Sequence, residues 1–400
     1  MPNPCVGILV NDKMYRSIPL GKTKYEAVHL YVKAGVKYGF TPCFFRIDDM
    51  EPGAATVSAY VMDNGQFVRK SVPVPEVIHN RAIYKGRKQF KQITSWIKEG
   101  KLLFNQWNRY GKLYIQNVLM KEPSLRPHIP STYEATLSHI SMMMKLYPTL
   151  IIKPNKSSVG RGVMKLEKTD RGWKLTYPAT VSIHNKAWRT LTFQGNRLPL
   201  LLRNRLQRVR YIVQQRLPLA TFEGQPFDLR VSVQRGAEGQ WQVAGIVAKV
   251  ASKRCFLTNV AQGGSVYRLE PILIAEYPHL RPKDVIKDIQ QFALQIAEHL
   301  GSHLPHMADL GLDVGITVEG FPMLIECNGK DQRYSFREAG MLQEWKATYE
   351  NPMAYARYLL DCRTAEAKAE LQRAGQPAGC MDAFDALVVG GKLATSKFLP

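Results

Sequence analysis

The stretch GLDVGITVEGFPMLIECNGKDQ, residues 311–332, admits few folds. Two alternating runs flank Glu319-Gly320, a dipeptide suited to a tight turn between antiparallel strands. With that dipeptide as a two-residue loop, Val318 faces Phe321 and Asp313 faces Glu326. Period two then gathers Val314, Ile316, Val318, Phe321, Met323 and Ile325 on one apolar face. The opposite face carries Asp313, Glu326 and Asn328. Opposed side chains in such a ladder stand about 5 Å apart at Cβ. Two carboxylates at that spacing repel unless a cation joins them. Magnesium suits the set, because it takes oxygen ligands and completes its shell from water and phosphate. A solvent-facing strand pair with two unrelated acids is the alternative reading.

The segments FDLRVSVQRG (227–236) and WQVAGIVAKVAS (241–252) alternate in the same way and predict a second hairpin. Phe227, Leu229, Val231 and Val233 share one face, leaving Asp228, Arg230, Ser232 and Gln234 on the other. Arg230 and Lys249, if aimed at the acidic face, are suited to charge that develops during phosphoryl transfer. The loop TNVAQGGS (258–265) adds Asn259 and the Gly263–Gly264 pair. Upstream, IIKPNKSSVGRGV (151–163) sets Lys153 at a strand end before Ser157, Ser158, Gly160 and Gly162. It matches neither the Walker pattern, since Val163 stands where a lysine is required, nor G-x-G-x-x-G, since Lys165 replaces the third glycine. Small residues let backbone amides approach an anion, yet the loop alone fits a plain hairpin equally well.

The first hundred residues read as β-α-β: strands at 5–10, 40–47 and 76–84, helices at 24–39 and 87–100. A Pro-Ser-Thr entry opens an amphipathic helix over 128–148, with Met142–Met144 as core filling. Another helix is predicted over 281–301. The end weakens into Ala, Gly and Lys, a marginal helix with a loose tail. Against 33 acidic residues the chain sets 55 lysines and arginines, a net charge of +22 that favours polyanionic partners, from nucleotides to an acidic polymer. The basic run RLPLLLRNRLQRVR (197–210) and the turn NRAIYKGRK, with Arg81, Lys85, Arg87 and Lys88, read as solvated surface. Six scattered cysteines without Cys-x-x-Cys spacing favour free thiols in a reducing compartment over a zinc site. No apolar run reaches the roughly 20 residues of a membrane span, and the start carries no secretory pattern, so a cytoplasmic location is expected.

Taken in order, IIKPNKSSVGRGV, YIVQQRLPL (211–219), PFDLRVSVQ, TNVAQGGS and GLDVGI…LIECNG resemble an ATP-grasp protein. Over residues 1–345 the chain is most similar to the YheC/YheD-like group, described as endospore coat-associated. The resemblance implies an ATP-grasp fold, mixed α+β and α/β. An N-terminal α/β domain (1–108) would precede two α+β subdomains (109–217 and 218–345) gripping ATP, with a C-terminal helix and tail (346–400) after them. On matching positions it implies that Lys112 and Lys153 contact the ATP phosphates and that Ser157, Ser158, Gly160 and Gly162 form a lid. Gln214, Gln215 and Leu217 would meet adenine. Asp313, Glu326 and Asn328 would hold one or two magnesium ions, with manganese as a substitute. Arg230 would face the transferred phosphate, with Lys249 beside it, and Asn259 would shape the acceptor side. The chain departs from many such proteins at Thr317, where they carry an acid, and in lacking a hinge glutamate for ribose. The implied chemistry is a ligase: ATP phosphorylates a small-molecule or peptide carboxylate, and an amine or other nucleophile displaces the phosphate. Two other classes fit the residues less fully: a nucleotide-binding structural protein of the spore coat, and a basic polyanion-binding protein. The implied location is the mother cell or the spore coat.

Overall fold

A computed structural model describes residues 3–374, apart from residues 24, 158, 159, 180–187, 196, 254, 255, 259, 261 and 262. Its contacts group residues 1–360 into one unit and 361–400 into a second, which is described only as far as Ala374, all of it helical. Three sheets make up the larger unit, each with six strands among the described residues.

In the first sheet the strands run Gln66–Pro73, Thr56–Asp63, Thr41–Phe45, Cys5–Leu9, Val77–Asn80, Leu102–Phe104. The last four are parallel, and helix Val28–Tyr38 packs on them through Leu30, Tyr31 and Ala34. The β-α-β reading therefore holds, with a hairpin at 56–73 that it had missed. The solvent-facing strand Gln66–Pro73 carries no apolar alternation strong enough to announce itself.

The second sheet is ordered Trp188–Phe193, Gly172–Pro178, Met164–Thr169, Thr149–Pro154, Tyr211–Gln215, Thr132–Glu134. The segment expected as one helix over 128–148 divides. Thr132–Glu134 pairs with Tyr211–Gln215, and the helix begins only at Leu137, where Thr136 accepts a hydrogen bond from the His139 amide. Met143 and Met144 fill the core beneath it.

The third sheet runs Ser265–Tyr267, Trp241–Val250, Gln225–Arg235, Asp309–Ile316, Pro322–Asn328, with Thr221–Phe222 beside Gln225–Arg235. Helix Pro282–His303 covers one face through Val285, Ile289, Phe292, Ile296 and Leu300. The other face is polar and meets the first sheet through a buried network. Arg81, only 2% exposed, binds Glu26 at 3.1 Å, Asp309 at 3.0 Å and the Asp331 carbonyl at 2.8 Å. Arg81 is thus no part of a solvated turn, whereas Lys85, Arg87 and Lys88 are exposed. Arg333 adds contacts to Asp309 and Tyr31, and Asn105 ties Asp309 and Gly329 through their carbonyls.

Candidate active site

The acidic pair depends on two compensating irregularities. The turn is not Glu319-Gly320 alone: Thr317 and Phe321 bracket a three-residue loop, Val318–Gly320, with Gly320 at φ +80°. That shifts the register by one, so Ile316, Gly315 and Val314 face Pro322, Met323 and Leu324. Val318 and Phe321 end up 49% and 40% exposed rather than in the expected apolar face, and Leu324 joins the core in place of Met323. A bulge at Ile325 then restores the original pairing, so that Asp313 faces Glu326 and Gly311 faces Asn328. The extra residue lets Leu324 point into the core and Glu326, two positions on, point to the other face.

Adjacent strands set their polar residues beside this pair. Arg230 pairs in register with Asp313, and Asp228 with Lys249, while Phe227, Leu229, Val231 and Val233 are fully buried beneath. The result is a chain of alternating charge. Lys249 bridges Asp228 (2.8 Å) and Asp313 (2.6 Å), and Arg230 bridges Asp313 (3.1 Å) and Asp331 (3.3 Å). Ser232 donates to Asp331 and Thr258 to Asp228. Asn328 donates to Asp313 at 3.2 Å. Gly311 makes room for this network, because a Cβ there would lie 2.3 Å from the Arg230 guanidinium and 2.4 Å from the Asp331 carboxylate and would displace one of them.

Burial opposes charge on all of these groups, and the neighbours decide the outcome. Asp313 is held below the usual carboxylate range, because Arg230 and Lys249 outweigh its desolvation. Desolvation prevails at Asp228 and Asp331 and raises both. It also works against Lys249, yet the two aspartates lift that lysine above its ordinary value. Asp313, Glu326 and Asn328 form an all-oxygen donor set that fits a hard divalent cation taking its other ligands from water and phosphate. Among the described residues no three of His, Cys, Asp and Glu gather in an arrangement that could hold a metal ion.

Opposite this face, across a cleft of about 810 Å³, stands the second sheet. Lys112 opens helix Lys112–Leu119, whose start is pinned by Asn155: the Lys112 amide donates to the Asn155 carbonyl (3.1 Å) and the Leu113 amide to its side chain (3.0 Å). That anchor brings Lys112 to the end of the strand that carries Lys153. Lys112 reaches Glu326 at 3.3 Å and the Ser157 carbonyl at 2.6 Å, and Lys153 donates to the Ile325 carbonyl at 3.2 Å. Desolvation lowers the Lys153 ammonium from 10.5 to about 8. Ser157 and Gly160 line the cleft, and Gly160 and Gly162 adopt φ of +65° and +72°, as a tight glycine turn requires. Gln214, Gln215 and Leu217 line its far end, the Gln214 side chain donating to Thr132 at 2.9 Å. Ser158 and Asn259 lie outside the described residues. The remaining expected residues meet around the cleft, with Gly162 in the turn at its edge. Sequence reasoning had not singled out Asp228, Asp331 or Lys330. The first was visible in the alternation of 227–235; Lys330 and Asp331 follow Asn328 by two and three residues, in a loop without periodicity.

Comparisons with known proteins bear on this arrangement. A model of YheC/D like ATP-grasp proteins matches residues 100–359. The chain belongs to the YheC/D-like ATP-grasp family. Among curated proteins of Bacillus subtilis (strain 168), endospore coat-associated protein YheD is 25% identical over 324 residues, covering 76% of this chain and 67% of YheD. Endospore coat-associated protein YheC is 21% identical over 340 residues, covering 82% and 90%. Among solved structures, D-alanyl-alanine synthetase A from Vibrio cholerae superposes with a TM-score of 0.51 at 13% identity, covering 91% of this chain and 98% of that one. Members of the YheC/D-like family thus share the ATP-grasp fold seen here, and the cleft lies within the residues that the family model spans, save Ile83.

Proposed function

We propose that the protein is an ATP- and magnesium-dependent ligase that activates a carboxylate as its acyl phosphate and passes the acyl group to an amine or other nucleophile. The observation that carries this reading is the opposed Asp313–Glu326 pair, set in the same cleft as Lys112, Lys153, Arg230 and Lys249. Phosphoryl transfer needs positioning and charge neutralisation more than a strong nucleophile, and the cleft supplies those. On this reading residues 109–217 and 218–345 are the gripping halves, preceded by 1–108 and followed by 346–400.

Lys112 and Lys153 hold the nucleotide phosphates, and Gln214 to Leu217 receive the base. Ser157, Ser158, Gly160 and Gly162 close over the phosphates and exclude water. Asp313, Glu326 and Asn328 would hold magnesium, which supplies charge neutralisation across the phosphate oxygens when bound. Arg230, fixed between Asp313 and Asp331, presents its guanidinium to the reacting carboxylate and the transferred phosphoryl group, with Lys249 beside Asp313 and Asn259 assigned to the acceptor side. A carboxylate oxygen bonds to the γ-phosphorus as ADP leaves. The amine nitrogen then bonds to the acyl carbon as phosphate leaves, and the amine loses one proton. For location we extend to this chain the endospore coat association of YheC and YheD.

Titration calorimetry of ADP with and without magnesium, followed by a screen for ADP release across carboxylate–amine pairs, tests the reading. Magnesium-dependent binding and a pair that turns over, both lost in Glu326→Ala, are expected. Absence of magnesium-dependent nucleotide binding refutes the proposal. Binding without turnover on any pair favours a non-catalytic nucleotide-binding protein of the coat.

A further inference from the structure

The charges lining the cleft do not balance. Among the described residues nine lysines and arginines line it against three carboxylates. Two of the nine also meet acids behind the wall: Arg216 approaches Glu167 at 3.7 Å and Arg230 approaches Asp331 at 3.3 Å. Glu167 is shared with Lys165 at 2.7 Å and Lys174 at 3.4 Å, so setting those two acids and the three lining ones against the nine leaves at least four positive charges for ligands. A magnesium–nucleotide brings roughly two negative charges. A reacting carboxylate brings one more, which leaves at least one cation over.

Lys330 is the residue that fits this remainder. The other cations of the cleft have partners or stand in water: Lys112 has Glu326, Lys153 the Ile325 carbonyl, Lys249 and Arg230 their aspartates, Arg109 the Lys156 carbonyl and Arg216 Glu167, while Lys156 and Arg161 are exposed. Among the described residues Lys330 makes no hydrogen bond or ion pair, although it is half-buried and lines the cleft. The acid whose field it feels most, Glu26, has both oxygens engaged by Arg81 and Tyr31. Lys330 therefore finds no acceptor in Glu26. Its backbone is not free to seek a partner elsewhere. The Gly329 carbonyl is held by Asn105 at 2.8 Å, a Cβ on Gly329 would lie 3.2 Å from the Asn108 backbone, and Asp331 is clamped by Arg81, Arg230 and Ser232. A clamped backbone thus presents an unpaired ammonium to the cleft, beside Asn108, Gln332 and Tyr334. A lysine so placed loses hydration without a compensating partner, a cost that a bound anion would remove.

We propose that the substrate held at this end of the cleft carries a second, non-reacting anionic group, as a dicarboxylate or an acidic peptide does, and that Lys330 pairs with that group. The proposal rests on the ligase reading for the reacting carboxylate; the pairing with Lys330 is measured separately. The probes are matched acid and amide: L-glutamate against L-glutamine, and triglutamate against triglutamine. Each is titrated calorimetrically into the full chain with ADP and magnesium present, using wild type, Lys330→Met and Lys330→Arg. An acidic probe is expected to bind wild type at least about tenfold more tightly than its amide. Lys330→Met should erase that preference and Lys330→Arg retain most of it, with ADP–magnesium affinity equal in all three. Preference confined to triglutamate identifies a peptide, and preference already present with glutamate a small dicarboxylate. Equal binding of acid and amide, no binding of either, or a preference that survives in Lys330→Met overturns the proposal. If ADP–magnesium fails to bind but the acid preference still depends on Lys330, the ligase reading fails and the anion site stands.

Discussion

Lys153 is the residue whose removal should improve the fold and damage the site. The residue is 6% exposed, and its ammonium donates to one backbone carbonyl, that of Ile325. Burial lowers it from 10.5 to about 8, so the fold binds this proton less well than the unfolded chain does. At about 1.4 kcal/mol per pH unit, keeping the charge at pH 7 costs about 3 kcal/mol. The direction follows from linkage. The cost is complete below pH 8 and fades as pH rises towards 10.5, leaving less than about 1 kcal/mol at pH 10. Lys153→Met removes the charge and leaves the Ile325 carbonyl without its donor, at about 1 kcal/mol. A net stabilisation of about 2 kcal/mol at pH 7 is therefore expected, read as a raised melting temperature. The advantage over wild type should disappear at pH 10. Nucleotide affinity should move the other way, falling roughly tenfold to a hundredfold with the loss of a charge-assisted contact. A phosphate beside Lys153 would also restore its proton. Calorimetry of ADP–magnesium at pH 8, in buffers of different ionisation enthalpy, should then register uptake of about half a proton, absent in Lys153→Met. A variant that melts at or below wild type at pH 7, or that retains the uptake, would refute the reasoning.

Gly311→Ala should displace Arg230 or Asp331, since the new methyl meets both within 2.4 Å; a loss of about 1–3 kcal/mol in denaturation and a fall in turnover larger than any change in ADP affinity are expected. Asp313→Asn and Glu326→Gln should both abolish the magnesium dependence of ADP binding. They should differ in stability: Asp313→Asn leaves Arg230 and Lys249 short of a counter-charge and costs about 3 kcal/mol, while the more exposed Glu326→Gln costs less than about 1 kcal/mol. Arg81→Met breaks the Glu26–Arg81–Asp309 contacts and should cost about 3–5 kcal/mol by thermal melting. Changing exposed Lys85, Arg87 or Lys88 in the same run should stay within about 0.5 kcal/mol.

The contrast between Arg81 and its neighbours shows where sequence ceases to be informative. Alternation and helical period identified the β-α-β start, the Gln225–Val250 hairpin and helix Pro282–His303, because each is set by which face meets a core. The run NRAIYKGRK has no period, and nothing local distinguishes an arginine that ties two sheets from a lysine in water. Its partners, Glu26 and Asp309, lie 55 and 228 residues away in sequence. Asp331 and Lys330 were illegible for the same reason: their roles arise from strands that meet only in the folded chain.

The acidic pair is more instructive, since it was legible although the turn was not. A hairpin loop one residue longer than expected moves every following side chain to the opposite face, and Val318, Phe321 and Met323 did move. The bulge at Ile325 reverses the shift before Glu326 is reached. Either irregularity alone would have left Glu326 facing the apolar core, away from Asp313. A buried carboxylate without a partner is costly enough that the sequence 318–326 must keep both or neither. The polar requirement at Glu326 and the apolar requirement at Leu324 together force the extra residue between them. The same extra residue turns the Ile325 carbonyl towards Lys153. The strand's defect therefore serves both sides of the cleft, setting the acid opposite Asp313 and giving the buried lysine of the other sheet an acceptor.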